Sequence, residues 1–493
     1  MFNCIYTHRL SILIFNLFLA GNVTLLSGCA PIPSNSKSPD MKPLNHYKTS
    51  RSFSAPKRNW PAEKWWNNYH DPQLDKLIEK ALHHAPSMTI AAARLRYATS
   101  ITQFVDSGLK PQVSMDASGT TQKLSYNYNM PAYMTPNGTH GYGSLALNFN
   151  WELDFWGKNR AALMAATSEQ EAATADMAQA HLILATSVAS EYGELARLHA
   201  SRNTVFSITN VRKKNLELLE KRYDFGLETQ ASIKQAKVLL AGTEEELLSL
   251  DKQIGLQRNK LAALIGAGPD CGLEIKAPKL NLAVSIALPP ELQLDLLGRR
   301  PDIVAARLRV ESTTRSIEKQ KAEFYPNINL AAFIGYQSMG LDKVFKSGSD
   351  FGGVGPAISL PIFTGGRLSA QLESARAKHD EAIGIYNQTV TTALQEVSDA
   401  VLSQKMLAQQ LEKIGTAVKS AHEAHHLIRN RYQGGLANYL DVLVAEENLL
   451  NTLKTQSDLQ SQIFILDIAL IKALGGGYKM PVSSNISYAA TEN

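Results

Sequence analysis

An internal duplication is the feature that most constrains what this chain can fold into. The segment Ala92–Arg96 reads AARLR and recurs as Ala305–Arg309. The pair Gly226-Leu227 recurs as Gly435-Leu436, each time four residues after an Arg-Tyr pair begins. Two further matches are Lys110-Pro111 with Tyr325-Pro326, and Leu264–Gly268 with Ala473–Gly477. All four keep one order at separations of 209 to 215 residues, which indicates duplication of a whole structural unit.

Each repeat predicts a long helical hairpin. Proline is absent between Pro136 and Pro269, and again between Pro361 and Pro481. Because proline breaks helix interiors and glycine weakens them, these spans predict long helices that reverse at a glycine. The segment Arg367–Gln433 would be about 100 Å long as one helix. Apolar residues in it recur at seven-residue steps, which is typical of a coiled-coil seam. They are Val390, Val397, Leu411 and Val418, with Leu394, Val401 and Ala408 interleaved, and Gln404 interrupts the series.

Two stretches with alternating apolar residues precede each hairpin and predict β-strands. The clearest runs from Leu145 to Phe155, and its 11 residues match the roughly 9–11 of a tilted transmembrane strand. Its partner is Gln112 to Lys123, and the second repeat offers strands around 328–336 and 354–362. A soluble sheet can also be apolar on one face, so alternation alone leaves both environments open.

The number of strands favours an assembly of three copies. Four strands cannot close a barrel, and lipid does not tolerate the unpaired edges of an open sheet. Three copies with four strands each would give a twelve-stranded barrel without edges. Its polar face, which includes Glu152 and Asp154, would line an aqueous lumen.

The N-terminus predicts a lipoprotein signal peptide over residues 1–28. Arg9 precedes an apolar run that is too short to span a bilayer, and Leu26-Ser27-Gly28-Cys29 follows it. This resembles the lipobox of bacterial lipoproteins, in which Cys29 would be acylated, with palmitate among its acyl groups, and would become the first mature residue. The alternative interpretation is an ordinary signal peptide with a cysteine there by chance. Ala30 follows in place of an aspartate that would retain the protein in the inner membrane, so the resemblance points to the outer membrane.

Taken together, the lipobox, repeats, strand pairs and hairpins resemble the TolC/OprM family of outer-membrane efflux proteins, in its NodT-like lipoprotein branch. The resemblance covers the whole mature chain and is marked by several short motifs. These are Trp65-Trp66 with Asp71–Leu74, Arg299–Asp302, Phe324–Pro326, and Leu360–Phe363 followed by Gly365–Arg367.

The resemblance implies a mainly α-helical, TolC-like fold with a membrane β-barrel. Two tandem repeats, 71–275 and 276–478, would follow a lipid-anchored segment 29–70 and precede a tail 479–493. The homotrimer would join a twelve-stranded outer-membrane barrel to an α-barrel that extends into the periplasm. Its implied role is a passive duct for drugs or other small toxic compounds. Its implied partners are a periplasmic adaptor (membrane fusion) protein and an inner-membrane export transporter, with outer-membrane lipid around the barrel and no cofactor.

The resemblance also places a narrow aperture and the adaptor contacts at the hairpin tips. Asp441 falls where relatives carry aspartates that ring the closed periplasmic aperture, whereas Val444 occupies a second such position. A helix-capping aspartate near the positive end of the helix dipole is the alternative interpretation of Asp441. The residues expected to contact the adaptor are Arg222, Gly226, Leu227, Arg431, Gly435 and Leu436. Both glycines are also explained by chain reversal, and both arginines could pair with carboxylates.

Other classes of function receive little support from the sequence. No nucleophile elbow or P-loop occurs, so an enzyme is not expected. His422, His425 and His426 lack an accompanying cysteine or a carboxylate in register, and no metal site is expected. A net charge of +5 spread along helices does not favour nucleic-acid binding. The remaining alternatives are a periplasmic adaptor and a structural coiled-coil envelope lipoprotein.

Overall fold

The computed structural model describes residues 32–34, 38–43, 46–49, 51–53, 59–127, 131, 133–280, 289 and 292–480. Its helices are α1 Pro72–His84, α2 Pro86–Ser107, α3 Lys158–Asp224, α4 Gln230–Leu264, α5 Pro269–Leu273, α6 Leu292–Arg299, α7 Pro301–Ala322, α8 Arg367–Gln433 and α9 Tyr439–Ala473. Its strands are β1 Gln112–Gln122, β2 His140–Glu152, β3 Asn327–Met339 and β4 Asp350–Ser359. Short 3-10 helices cover Trp65–Tyr69 and Leu341–Lys343.

The two repeats fold alike, as the duplication predicts. Helices α3 and α8 have 67 residues each, and α4 and α9 have 35 each. We call α3 with α4 hairpin 1, and α8 with α9 hairpin 2. The predicted helix over Arg367–Gln433 is confirmed from end to end. The seam is buried at Val390 and Val397, and the buried Gln404 donates to the Leu466 carbonyl oxygen at 3.4 Å.

The four strands form one antiparallel sheet in the order β1-β2-β3-β4. The pairing of β2 with β3 joins the first repeat to the second, and β1 and β4 are the edge strands. Cross-strand partners share a face, and one row runs from Val113 through Phe149 and Ala332 to Val354. The alternating apolar residues therefore form one continuous face, on which Val113 and Val354 are exposed.

The end of the predicted strand 145–155 is wrong, because β2 stops at Glu152. The side chain of Asp154 accepts hydrogen bonds from the backbone N–H groups of Asn159 and Arg160, at 3.1 and 2.9 Å. These bonds stabilise the start of α3 and turn the chain out of the sheet. Asp154 is therefore a helix-initiating residue and does not belong to the polar strand face expected for it. The partner strand ends at Gln122, one residue before the predicted Lys123.

The chain divides into two compact units, and neither corresponds to one repeat. Unit 1 comprises the described residues of Met1–Asp40, Arg96–Glu171 and Arg307–Ile385, and it holds the sheet. Unit 2 comprises the described residues of Met41–Leu95, Ala172–Ala306 and Tyr386–Asn493, and it holds the turns of both hairpins.

Unit 2 has the larger core. Trp65 and Trp66 are almost fully buried and pack edge to face with ring centroids 5.4 Å apart. Asp71 caps α1 by accepting from the Gln73 and Leu74 N–H groups, and it also accepts from the Tyr192 hydroxyl at 2.8 Å. Cys271 lies in the single-turn helix α5 and has a free thiol. Among the described residues, no helix combines the length and apolar character that crossing a membrane requires.

Candidate functional site at the hairpin tips

Both hairpins reverse direction through the same glycine turn. Gly226 and Gly435 have φ angles of 71° and 75°, in the region where glycine carries no steric penalty. In hairpin 1 the Leu227 N–H donates to the Arg222 carbonyl oxygen at 2.8 Å, and hairpin 2 repeats this bond between Leu436 and Arg431 at 2.8 Å. This hydrogen-bond pattern is a Schellman motif, which satisfies the last carbonyl groups of the incoming helix. Chain reversal therefore explains both glycines.

The returning helices begin with side-chain caps, and Asp441 belongs to one of them. Thr229 caps α4 by accepting from the Ser232 N–H at 3.2 Å. Asn438 caps α9 by accepting from the Asp441 N–H at 2.9 Å, and the Asp441 carboxylate accepts from the Asn438 N–H at 3.1 Å. This reciprocal capping box gives Asp441 a structural role at the helix start. Its side chain is also exposed.

A polar link joins the two tips within one copy. The Arg222 guanidinium of hairpin 1 lies 4.8 Å from the ring centroid of Tyr432 in hairpin 2, within cation–π range. The Tyr432 hydroxyl donates to Glu228 of hairpin 1 at 2.5 Å, a short charge-assisted hydrogen bond. Glu228 also accepts from the Ser232 hydroxyl at 2.8 Å. We call the trio Arg222, Tyr432 and Glu228 the tip link.

Two members of the tip link, Glu228 and Tyr432, have shifted pKa values. Burial acts to raise the pKa of Glu228, but hydrogen bonds from Tyr432 and Ser232 outweigh it, so the pKa is lowered overall. Burial, together with the hydrogen bond to Glu228, raises the pKa of Tyr432 well above its usual range. At neutral pH the link therefore consists of a carboxylate and a neutral phenol.

A second polar contact joins the hairpins deeper in the bundle. Glu446 of α9 is almost fully buried, lies 3.5 Å from the Nε atom of Arg212 and accepts from Asn215 at 2.9 Å. Burial raises the pKa of Glu446, and the Arg212 charge partly opposes this shift. The neighbouring Tyr439 has its pKa raised to about 12 by burial and by the Glu446 charge.

Apolar side chains project from both turns. Leu227 and Leu436 are 66% and 73% exposed, and Phe225, directly before Gly226, is 80% exposed. Leu440 and Val444, on the first turns of α9, are exposed as well. Large exposed apolar side chains gathered at one end of a molecule indicate contact with a partner.

The two predicted arginines make different contacts in the structure. Arg222 enters the tip link, and it packs on a tyrosine rather than pairing directly with a carboxylate. Arg431 is exposed and donates to the Leu436 carbonyl oxygen at 3.4 Å, so it contacts its own turn. Cys29 lies outside the described residues. Tyr432 and Glu228 were not predicted, because Tyr223 and Tyr432 occupy equivalent repeat positions and only packing between hairpins buries the second.

The sheet carries a further unpredicted feature on its polar face. Asn148 donates to Asp116 at 2.6 Å there, as expected of a hydrated surface. Phe333 lies in the same cross-strand row as Asn148 and Gly353, and its ring centroid is 5.5 Å from that of Phe351. The polar face therefore includes one aromatic pair.

The short antiparallel sheet, the paired long hairpins and the capped turns define a TolC-like channel protein of the bacterial outer membrane. The outer membrane efflux protein family model matches residues 77–267 and 293–476. The chain belongs to that family.

Similar proteins agree with this assignment. The multidrug resistance outer membrane protein MdtP of Escherichia coli K12 is 30% identical over 470 residues, which cover 94% of this chain and 96% of MdtP. MdtQ of Escherichia coli O157:H7 is 31% identical over 463 residues, which cover 92% of this chain and 96% of MdtQ. The crystal structure of the outer membrane protein VceC from Vibrio cholerae matches with 48% identity and a TM-score of 0.81, covering 85% of this chain and 100% of VceC.

Family membership decides between the classes of function that the sequence left open. The family consists of passive outer-membrane channels and not of enzymes. The chain is therefore an outer-membrane efflux channel protein, rather than an adaptor or a structural coiled-coil protein.

Proposed function

We propose that three copies of this chain assemble into a passive duct that forms the outer-membrane part of a tripartite efflux pump. The observation that carries the proposal is a four-stranded sheet with an exposed apolar face and two edge strands, β1 and β4. Every unpaired backbone group in a bilayer core costs several kcal/mol. Because four antiparallel strands leave β1 and β4 pointing in opposite directions, β4 of one copy can pair with β1 of the next. Three such junctions close a twelve-stranded barrel.

The polar face of the sheet would then line the lumen, and the hairpins of three copies would form the periplasmic α-barrel. The tip link would hold the periplasmic end closed, since it ties the turn of hairpin 1 to the turn of hairpin 2 in every copy. Three copies of Asp441 near the tip would add negative charge that attracts cations. The aperture role of Asp441 is compatible with its capping role, because its carboxylate is exposed.

The exposed apolar side chains at the turns are proposed to contact a periplasmic adaptor protein. Gly226 and Gly435 hold the turns, Arg222 and Arg431 flank them, and Leu227 and Leu436 provide apolar surface. The adaptor would connect the duct to an inner-membrane transporter, which would supply the energy. Family membership and the tip geometry support this arrangement.

The transported compounds are proposed to be antibiotics, dyes, detergents or other small toxic molecules. The names of MdtP and MdtQ, which state multidrug resistance, support this class. Acylation of Cys29 is proposed to add a lipid anchor beside the barrel, on the strength of the lipobox sequence.

Conductance of the purified protein in planar lipid bilayers tests the proposal. Discrete current steps with cation preference are expected, small at rest because the tip is closed. Absence of any current step from protein that has inserted into the bilayer would contradict the duct. The matched control is protein whose trimers have been dissociated by heat before reconstitution, from which no steps are expected.

A further inference from the structure

A buried arginine near the start of α8 holds the N-terminal segment of the chain. Arg376 is 5% exposed and belongs to unit 1, as does the segment that it contacts. Its Nη2 atom donates to the Pro33 carbonyl oxygen at 2.7 Å, and its Nη1 atom donates to the Ser34 carbonyl oxygen at 3.0 Å. The same guanidinium therefore binds two consecutive peptide groups.

The chemistry of this contact makes it a clamp. A guanidinium presents several N–H donors in a rigid plane, which suits recognition of two acceptors at once. The carboxylate of Glu373 lies 3.4 Å from Nη1, and its side chain is 62% exposed. Burying a charged group is costly unless hydrogen bonds compensate for the lost hydration. The carbonyl groups of Pro33 and Ser34 therefore stabilise the buried Arg376, and Arg376 in turn holds this segment in place. Because the acceptors are backbone carbonyls, the clamp holds the path of the chain.

The clamp lies within reach of the proposed lipid anchor. Pro33 follows Cys29 by four residues, which span at most about 14 Å. Arg376 is nine residues after the first residue of α8, Arg367, or about 14 Å along the helix. The helix start follows β4 by a short loop that carries the exposed side chain of Phe363. The acyl chains on Cys29 can therefore reach the end of α8 that is next to the sheet.

Aromatic side chains mark the same region of unit 1. Trp156 and Tyr325 stack with ring centroids 4.9 Å apart, and the Trp156 indole N–H donates to the Pro326 carbonyl oxygen at 2.8 Å. Both rings are partly exposed. Amphipathic aromatic residues concentrate where a membrane meets water, so this end of the sheet has the chemistry of a bilayer interface.

We propose that Arg376 is a positioning residue for the lipid anchor: it clamps Pro33 and Ser34 so that the acyl groups on Cys29 enter the membrane beside the barrel. The inference rests on the proposed acylation of Cys29. The lipid is then held against the barrel wall at a fixed place, in contrast to an anchor on a loose tether.

Spin labelling of the N-terminal segment tests the clamp. The label is attached to Ser34→Cys in a Cys271→Ser background, in full-length protein from membranes, with Arg376 kept or changed to Gln or Lys. Ser34 contacts the clamp through its carbonyl oxygen, and its side chain is exposed, so the label leaves the contact intact. With Arg376 the label is expected to be immobilised. With Arg376→Gln its motion should become several-fold faster, and Arg376→Lys should restore part of the immobilisation.

Two controls separate the clamp from general destabilisation and from the anchor itself. A label at Lys405→Cys, on an exposed position of α8, should keep its spectrum in all three proteins, and the melting temperature should not change. Equal mobility at position 34 with and without Arg376 would overturn the clamp, as would mobility that rises only together with a loss of thermal stability. The intact mass reports acylation separately. A wild-type protein without acyl groups on Cys29 contradicts the lipid anchor, whatever the labels show.

Discussion

Removing a single hydroxyl from the tip link should open the duct. In Tyr432→Phe the aromatic ring and its contact with Arg222 remain, and only the 2.5 Å hydrogen bond to Glu228 is lost. A hydrogen bond to a charged group contributes about 1.5–3 kcal/mol, and the half-buried position of Glu228 favours the lower end. Since about 1.4 kcal/mol is a factor of ten in an equilibrium constant, the open-to-closed ratio should rise about tenfold per copy.

Single-channel recording of purified trimers measures this effect. Tyr432→Phe should show a higher mean conductance or longer open times than wild type, because three copies of the link are weakened in one duct. Tyr223→Phe is the matched control, since Tyr223 occupies the equivalent position in the first repeat and is 44% exposed, whereas Tyr432 is 7% exposed. Equal conductance of the two variants and wild type, with unchanged trimer content, would refute the closing role of the link.

The same link predicts that opening of the duct depends on pH. Glu228 has a lowered pKa in the folded protein. Its contribution to the stability of the tip link is therefore present above the unfolded pKa of about 4.3 and is lost as the pH falls through the lowered value. Tyr432 has a raised pKa, so its contribution is present below the unfolded value of about 10 and is lost only in stronger alkali. The link therefore holds across neutral pH, and acid-induced opening should be absent from Tyr432→Phe.

Substitutions at three further positions, two of them with a matched control, test the other roles assigned to the tips. If the charge of Asp441 lines the aperture, Asp441→Asn and Asp441→Ala should both reduce cation preference. The capping bond contributes about 0.3–1.5 kcal/mol, and its loss should lower the melting temperature only in Asp441→Ala. Gly435→Ala places a side chain at a backbone position with positive φ and should destabilise the hairpin by about 1–2 kcal/mol. Its control is Gly434→Ala, which should not lower the melting temperature because Gly434 does not have a positive φ. Leu436→Ser should weaken chemical crosslinking to the adaptor, and Leu402→Ser, exposed but 34 residues earlier on hairpin 2, should leave it unchanged.

Most of the architecture was predictable because its signals are local. Proline placement and glycine turns delimit long helices without reference to the rest of the chain, and the helix over Arg367–Gln433 was predicted to the residue. Strand alternation likewise predicted one apolar face, which the register confirms from Val113 to Val354. The end of β2 was missed because Asp154 fits the alternating pattern but is used to cap α3.

The chemistry between the hairpins was not predictable from the sequence. Glu228 and Tyr432 are 204 residues apart, and their contact depends on how one hairpin packs on the other. The duplication even works against the prediction, because Tyr223 and Tyr432 both follow an arginine and both lie three residues before the turn glycine. The contact of Arg376 with Pro33 was not predictable for the same reason, since no local pattern relates residues separated by 343 positions.

The mass of the mature protein, extracted from membranes in mild detergent and measured by native mass spectrometry, tests the central claim most directly. Closure of the edge strands β1 and β4 predicts a particle with three chains and no stable single chain. A folded single chain that remains dispersed in water without detergent would contradict the account, because its sheet would then have no need of neighbours.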